Sequence, residues 1–255
     1  MSAPQPNDGF EWVQAPWGAV LVCRPLQPHA EHFFTAASLT LRESQDEWNG
    51  LAAFAGVARD RLRLLNQVHG RTIVTAPVGD ESAWTRPEAD GIITADPSVA
   101  LVVRVADCAP VLLVDRRTGA VAAIHAGWRS TMQRILPTAI ETLSAECGSD
   151  PADLMAAIGP SLGTCCGEMG EEVVDAFRSA GHTESALERW FIRASGRRPH
   201  FDLWKANREQ LEDAGVAADA VHVAGLCTRT YPDIFHSYRA AGAGAGRMAA
   251  VIRRR

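Results

Sequence analysis

The sequence predicts an α/β fold, a layered sandwich of mixed β-sheets with helices packed outside. Three observations predict it. The apolar runs 99–105, 111–114 and 120–124 are short, almost uninterrupted and bounded by turn residues, as strands buried on both faces should be. Amphipathic helical patterns follow these runs, and further strand-like stretches stand near both ends of the chain.

In order, Phe10–Val13 and Ala19–Cys23 read as strands, with Pro16 and Gly18 between them. Trp48, Leu51, Phe54 and Ala55 recur at helical spacing within a mixed region, 44–65. Residues 64–70 lead into 72–75, a short strand by its β-branched content. The three apolar runs come next, and their short connections predict neighbouring central strands with antiparallel pairing. A helix is expected after Gly127, with Met132, Ile135, Leu136, Ala139, Ile140 and Leu143 as its apolar stripe, a kink at Pro137 and a stop at Gly148. A second helix is expected from Glu168 to Ala180, ended by Gly181, and a third from Asp202, a good N-cap, to before Gly215. Val221–Ala224 and Met248–Ile252 read as late strands. No internal repeat or linker divides the chain, so a single domain, 1–255, is expected.

Composition narrows the function. The chain has 255 residues, is 47% hydrophobic and carries a net charge of -5 without a long basic block. No nucleic-acid or anionic-membrane surface is therefore expected, and Arg253–Arg255 reads as a solvated end. The first residues show no basic segment followed by an apolar one, and no apolar run reaches the length of a membrane span. Six scattered cysteines point to reduced thiols and a cytoplasmic protein. A monomer or small homo-oligomer is expected.

Three frames carry chemistry: NQVHG with His69, ADCAP with Asp107 and Cys108, and HAGWR with His125. Two imidazoles and a thiolate suit Zn²⁺, and three protein ligands leave a fourth position for water or substrate. The spacing is too wide for a zinc finger, so the ligands must converge through the fold. Each residue alone has an ordinary reading: a loop histidine, a small buried hydrophobe, a strand-end histidine. Their joint occurrence in three punctuated strand-terminal frames favours a site.

These frames, with ADGIIT (89–94), ADCAPVLLVD (106–115), IGPSLGTCCGEMGEEV (158–173) and CTRTYPDIFHSYRAAGAGAGRMAAVI (227–252), resemble the multicopper polyphenol oxidase, or laccase-domain, family, also called YfiH-like or peptidoglycan-editing-factor family. The resemblance runs in order over 64–252 and is specific jointly, although each frame alone is weak. It implies an α/β layered sandwich, also compared with cysteine hydrolases. It further implies a zinc enzyme acting on purine nucleosides, by phosphorolysis of adenosine, inosine, guanosine and methylthioadenosine and by deamination of adenosine. By position it places the metal ligands on His69, Cys108 and His125. Family members commonly carry a serine-threonine-arginine segment and a glycine pair in the first quarter. Here EHFFTAASLTLRESQDEWNG (31–50) has no glycine pair, and Ser130 stands where glycine is usual after HAGWR.

Around these frames, Asp107 caps a turn, orients a ligand or serves as acid/base. Glu168 is a second carboxylate candidate, at an expected helix start where the dipole favours it anyway. Arg129, at a helix start, meets an anion or makes a surface ion pair. The adjacent Cys165 and Cys166 are packed or reactive bystanders rather than a disulfide. GAGAGR (242–247) lacks both the GxGxxG spacing and the GK[ST] ending and reads as a flexible hairpin tip near the pocket mouth. Arg239 and Arg247 flank it as contacts for a ribose or phosphate, and His236 is a supporting group or base.

Four functions compete. The first is a zinc enzyme taking a purine nucleoside and phosphate, in which the metal brings the pKa of a bound water towards neutrality. The usual zinc-deaminase signature, H-x-E with P-C-x-x-C, is absent, so that comparison is only chemical. The second is copper-dependent phenol oxidation. Eight histidines with no His-x-His pair fall short of a laccase copper set, although one Cys/His₂ site binds Cu²⁺ readily. The third is a hydrolase editing peptidoglycan precursors, with Cys108 as nucleophile or ligand and His125 as base. The fourth, a non-enzymatic zinc protein, fits an open site least.

Overall fold

A computed structural model describes residues 3–42, 44–79 and 84–255. Met1, Ser2, Glu43 of the divergent 31–50 segment and residues 80–83 lie outside the described residues. The strands are β1 (Phe10–Ala15), β2 (Gly18–Cys23), β3 (Ala30–Thr35), β4 (Leu62–Leu64), β5 (Ile73–Thr75), β6 (Gly91–Thr94), β7 (Ala100–Val105), β8 (Ala109–Asp115), β9 (Val121–Ala126), β10 (Leu154–Ile158), β11 (Phe191–Ile192), β12 (His200–Phe201), β13 (Val221–Val223) and β14 (Met248–Arg254). The helices are α1 (Gln45–Phe54), α2 (Trp128–Met132), α3 (Ile135–Cys147), α4 (Glu171–Ser179), α5 (Glu184–Trp190), α6 (Leu203–Asp213) and α7 (Tyr238–Ala241).

Two six-stranded mixed sheets form the centre, in the orders β1-β2-β3-β14-β7-β4 and β13-β10-β8-β9-β6-β5. Alternation along the strands explains the layers. In β7, Leu101, Val103 and Val105 face Leu112, Val114, Val121 and Ala123 of the second sheet. Ala100 and Val102 turn the other way, onto Trp48 and Leu51 of α1. In β8 and β9, Val111, Leu113, Ala122 and Ile124 pack outward on α3, α4 and α6. The result is helix, sheet, sheet, helices. Every central strand is buried on both faces, so none shows an alternating polar pattern.

The layered α/β sandwich agrees with the sequence reading, and the structure corrects details within it. The run 99–105 does not neighbour 111–114: β7 lies in the first sheet, between β14 and β4, whereas β8 pairs antiparallel with β9 in the second. The three residues Ala106–Cys108 carry the chain from one sheet to the other, and periodicity is blind to which sheet a doubly buried strand joins.

The helix after Gly127 is broken, and not at Pro137. Arg134 adopts a left-handed conformation (φ 59°) between α2 and α3. Pro137 then falls in the first turn of α3, where a missing N–H costs no intrahelical bond. Gly148 ends α3 with φ 65°, as expected of a left-handed cap.

Glu168 does not start α4. Its bridge to His200 and the Met169 N–H bond to Pro199 O (2.9 Å) keep 168–169 extended, so the helix begins after Gly170. GAGAGR is no hairpin tip. It continues α7 into a tight turn, Gly242–Gly244, ahead of β14. Among the described residues no helix is long and apolar enough to cross a membrane.

Candidate metal centre and pocket

The register of β8 and β9 places Ala109 opposite Ala126 and Pro110 opposite His125, so the start of one strand lies beside the end of the other. Cys108 therefore sits next to His125 at the same end of the second sheet. The loop after β4 brings His69 to the same place. One ligand atom from each of the three lies within 4.8 Å of the others. The rings of His69 and His125 meet edge to face, with centroids 4.9 Å apart.

Two positive backbone angles make this convergence. His69 has φ 61° and Asp107 has φ 87°. Asp and His are among the side chains that tolerate this region best, and such angles persist only when neighbours hold them. Asp90 holds the first: its carboxylate accepts the backbone N–H groups of His69 (2.9 Å) and Gly70 (2.6 Å). For the second, the Asp107 carboxylate accepts Thr228 Oγ1–H (2.6 Å) on one oxygen and the Arg239 N–H (2.6 Å) on the other. Gly127 completes the cradle. A Cβ there would lie 2.7 Å from Cys108 Sγ and 3.4 Å from His69 Cδ2.

The electrostatics suit a cation. Asp90 Oδ1 is 2.8 Å from His125 Nδ1, and both residues are buried. This fixes the tautomer, with Nδ1–H donating to the carboxylate and Nε2 turned to the cluster. Burial pushes the Asp90 carboxyl up, but His125 and the Gly70 and His69 N–H groups outweigh it and hold it below the usual carboxylate range. Burial likewise opposes the Cys108 thiolate, yet His125 and His69 bring the thiol down to about 6. Burial disfavours a charged His125, but Cys108 and Asp90 raise it to about 9. A thiolate, two imidazoles and a buried carboxylate behind one of them form a donor set that fits zinc, and among the described residues no fourth protein ligand joins the cluster.

The cluster lies in the floor of a cavity of about 880 Å³. Asp107, Arg129, Arg239 and Arg247 line it, and so do Arg42, Arg104 and Gln67, which had no role in the sequence reading. Arg129 lies over the Trp128 ring, 4.3 Å from its centroid. Arg42 donates to the carbonyls of Ala243 and Ala245, tying the 31–50 segment to the Gly242–Gly244 turn. Gln67 clamps both backbone groups of Arg104 at 2.8 Å. Glu168 is exposed and is absent from the lining; its carbonyl accepts Arg239 Nη1–H (2.9 Å). His236 is absent from the lining as well, with Nε2 bonded to Leu39 O (2.9 Å).

Asp90 is the residue that sequence reasoning passed over. Its signal was a carboxylate opening the short apolar strand in ADGIIT, a frame used only for the resemblance.

Comparison with known proteins adds to this geometry. The family described as multi-copper polyphenol oxidoreductase laccase matches residues 43–255. A purine nucleoside phosphorylase of Deinococcus radiodurans is 42% identical over 79% of this chain and 74% of that protein. Adenosine deaminase RL5, from an unknown prokaryotic organism, is 34% identical over 77% of this chain and 76% of its own length. The crystal structure of YlmD from Geobacillus stearothermophilus superposes with a TM-score of 0.85 at 28% identity, covering 96% of this chain and 98% of that one.

Proposed function

The chain belongs to the multi-copper polyphenol oxidoreductase laccase family, and from that premise we propose that it is a zinc-dependent enzyme that cleaves purine nucleosides with phosphate. Deamination of adenosine is its second reaction. Relatives named for these two activities support the substrate class. The observation that carries the reading is the three-ligand cluster His69, Cys108 and His125 under a pocket lined by five arginines and one carboxylate.

Zinc would be held by His69, Cys108 and His125, and when bound it would supply Lewis-acid chemistry at the pocket. The chain's own residues do the rest. Asp90 holds Nδ1–H of His125, which leaves Nε2 aimed at the cluster as the donor atom for the metal. Arg129, Arg239, Arg104 and Arg247 provide the positive field that holds phosphate beside the ribose and meets the charge that develops during transfer. Trp128 and Tyr238 offer aromatic faces to the purine. Phosphorolysis is ranked above deamination by the balance of charge. The one lining carboxylate, Asp107, already accepts two hydrogen bonds, so a carboxylate free to shuttle protons at the base is scarce, whereas cations for an anion abound. Asp107 is assigned to holding the Thr228 and Arg239 segments around the pocket. Glu168 lends its carbonyl, not its carboxylate.

Oxidation of phenols by a multicopper set is disfavoured. His32, His182, His200 and His236 each bond a backbone carbonyl and lie outside the cluster. No second group of histidines assembles among the described residues. A cysteine hydrolase acting on peptidoglycan precursors would use Cys108 as a nucleophile, but the two flanking imidazoles make it a better ligand. Free cysteines throughout the described chain fit a reducing compartment, hence the cytoplasm.

The test is metal analysis of protein purified without added metal, followed by a nucleoside screen with and without phosphate. Zinc near one per chain and free base released only with phosphate support the proposal. No product from any purine nucleoside at full zinc occupancy overturns it.

A further inference from the structure

A second group of soft ligands lies outside the pocket. Cys165, Cys166 and Cys227 place their sulfurs within 4.8 Å of one another, and Cys165 Sγ is 3.7 Å from Cys166 Sγ. The fold builds this group from two neighbouring strands. β10 and β13 run parallel, so the segments that follow them leave the sheet side by side, and a bridge between Ser161 and Cys227 extends the ladder beyond the strands. The Thr164–Cys166 turn then folds back over Cys227.

We propose that Cys165, Cys166 and Cys227 form a second metal site, an all-sulfur site for a soft closed-shell cation of the Zn²⁺ or Cu⁺ class, separate from the His69–Cys108–His125 centre.

Three features support it. The first is spacing. An ion with four tetrahedral bonds of about 2.3 Å holds its sulfurs roughly 3.8 Å apart, close to the separation of the adjacent pair. The second is the surroundings of the sulfurs. Gly163 N–H donates to Cys227 Sγ at 3.3 Å, and the Thr230 hydroxyl lies 3.4 Å from Cys165 Sγ and 3.7 Å from Cys166 Sγ. The Gly163 N–H orients the Cys227 sulfur, and the single Thr230 hydroxyl proton is placed to reach one of the other two sulfurs once they are thiolates, as the polar neighbours of metal ligands do. The third is a path of entry. Cys165 is exposed, Cys166 half-buried and Cys227 buried, so an ion arriving from solvent meets the thiols in turn. Thiolate ligands without imidazole or carboxylate select soft cations over Mg²⁺ or Ca²⁺. Binding displaces thiol protons to solvent and changes no oxidation state. Cys227 directly precedes Thr228, whose hydroxyl donates to Asp107 beside Cys108, so an ion on Cys227 is anchored one peptide from a bond that shapes the pocket.

The probe is Cd²⁺, added to reduced, chelator-stripped full-length protein and followed by cadmium NMR and by ultraviolet thiolate-to-cadmium absorption. The wild type should bind two ions with distinct resonances, one of a mixed nitrogen and sulfur site and one of a sulfur-rich site. Cys108→Ser should lose the first and keep the second. Cys165→Ser/Cys166→Ser should do the reverse. The single variant Cys165→Ser, at an exposed thiol, should weaken the second site without altering the fold, as read by circular dichroism. Zn²⁺ and Cu⁺, in separate arms, should each displace cadmium from the sulfur-rich site. Absence of cadmium from Cys108→Ser overturns the proposal while leaving the pocket centre intact. Persistence of the sulfur-rich resonance in Cys165→Ser/Cys166→Ser also overturns it, as does failure of both Zn²⁺ and Cu⁺ to displace cadmium.

Discussion

Asp90 Oδ1 sits 2.8 Å from Nδ1 of His125, and the same carboxylate accepts the backbone N–H groups of His69 and Gly70. One buried side chain thus sets the tautomer of one proposed ligand and the backbone of another. The two ligands, one in the loop after β4 and one at the end of β9, stand 56 residues apart in sequence, and Asp90 joins them without lining the pocket itself.

Asp90→Asn should therefore lower zinc affinity by about 10- to 100-fold, the usual cost of losing a carboxylate behind a ligating histidine. Chelator competition on the purified variant measures it. An affinity equal to wild type removes Asp90 from the metal centre.

Gly127→Ala should empty the site. The new Cβ would stand 2.7 Å from Cys108 Sγ, so the sulfur must move or the α2 start must shift. The cost to the fold should be on the order of 1–3 kcal/mol, as for other overpacked positions. Metal content and thermal unfolding, compared side by side, check it. Full metal occupancy in a stable variant contradicts the packing argument.

Arg129→Ala should reduce phosphate-dependent release of free base on the order of 10²-fold, since a positioned cation then no longer meets developing charge. Deamination needs no bound anion and should change far less. Chromatography of adenine, hypoxanthine and inosine separates the two routes. An equal fall in both would mean that Arg129 holds the nucleoside and not phosphate.

Stability should fall with acid through His32. Its Nε2 accepts the Cys23 N–H at 2.9 Å and its Nδ1–H donates to Ala30 O at 3.1 Å inside the first sheet. Burial lowers its pKa below 6.5, against weaker opposing effects from Ala30 and Cys23. The unfolded chain then binds the proton more readily than the folded one. Stability is complete above the unfolded value, about 6.5, and declines as pH falls below it, by up to roughly 1.4 kcal/mol per pH unit. His32→Gln, which keeps an acceptor for Cys23, should flatten that slope in denaturant titrations between mildly acid and neutral pH. An unchanged slope assigns the effect elsewhere.

Much of the architecture was legible along the chain. Turn residues and apolar runs located β1, β2, β8, β9 and β14, and the Asp202 cap located the start of α6, where its carboxylate accepts the Lys205 N–H at 3.0 Å. The break at Arg134 was not legible, because a single left-handed residue leaves the apolar stripe of the helix in register. Glu168 reads from sequence as a helix start, where the dipole favours a carboxylate, yet its bridge to His200, a residue 32 positions later, keeps it extended.

Residue chemistry by itself singled out His69, Cys108 and His125 as candidate ligands, since imidazole and thiolate are borderline and soft donors and their frames stand beside apolar strand-like runs. The tertiary structure alone decided that the three meet, that Asp90 stands behind them and that Arg42 and Arg104 join Arg129 and Arg239 around the pocket. It alone also gathered Cys165 and Cys166 with Cys227. The reason is physical: local patterns record burial and backbone preference, whereas convergence depends on strand register and on which sheet each strand joins, and both follow from packing between segments far apart in the chain.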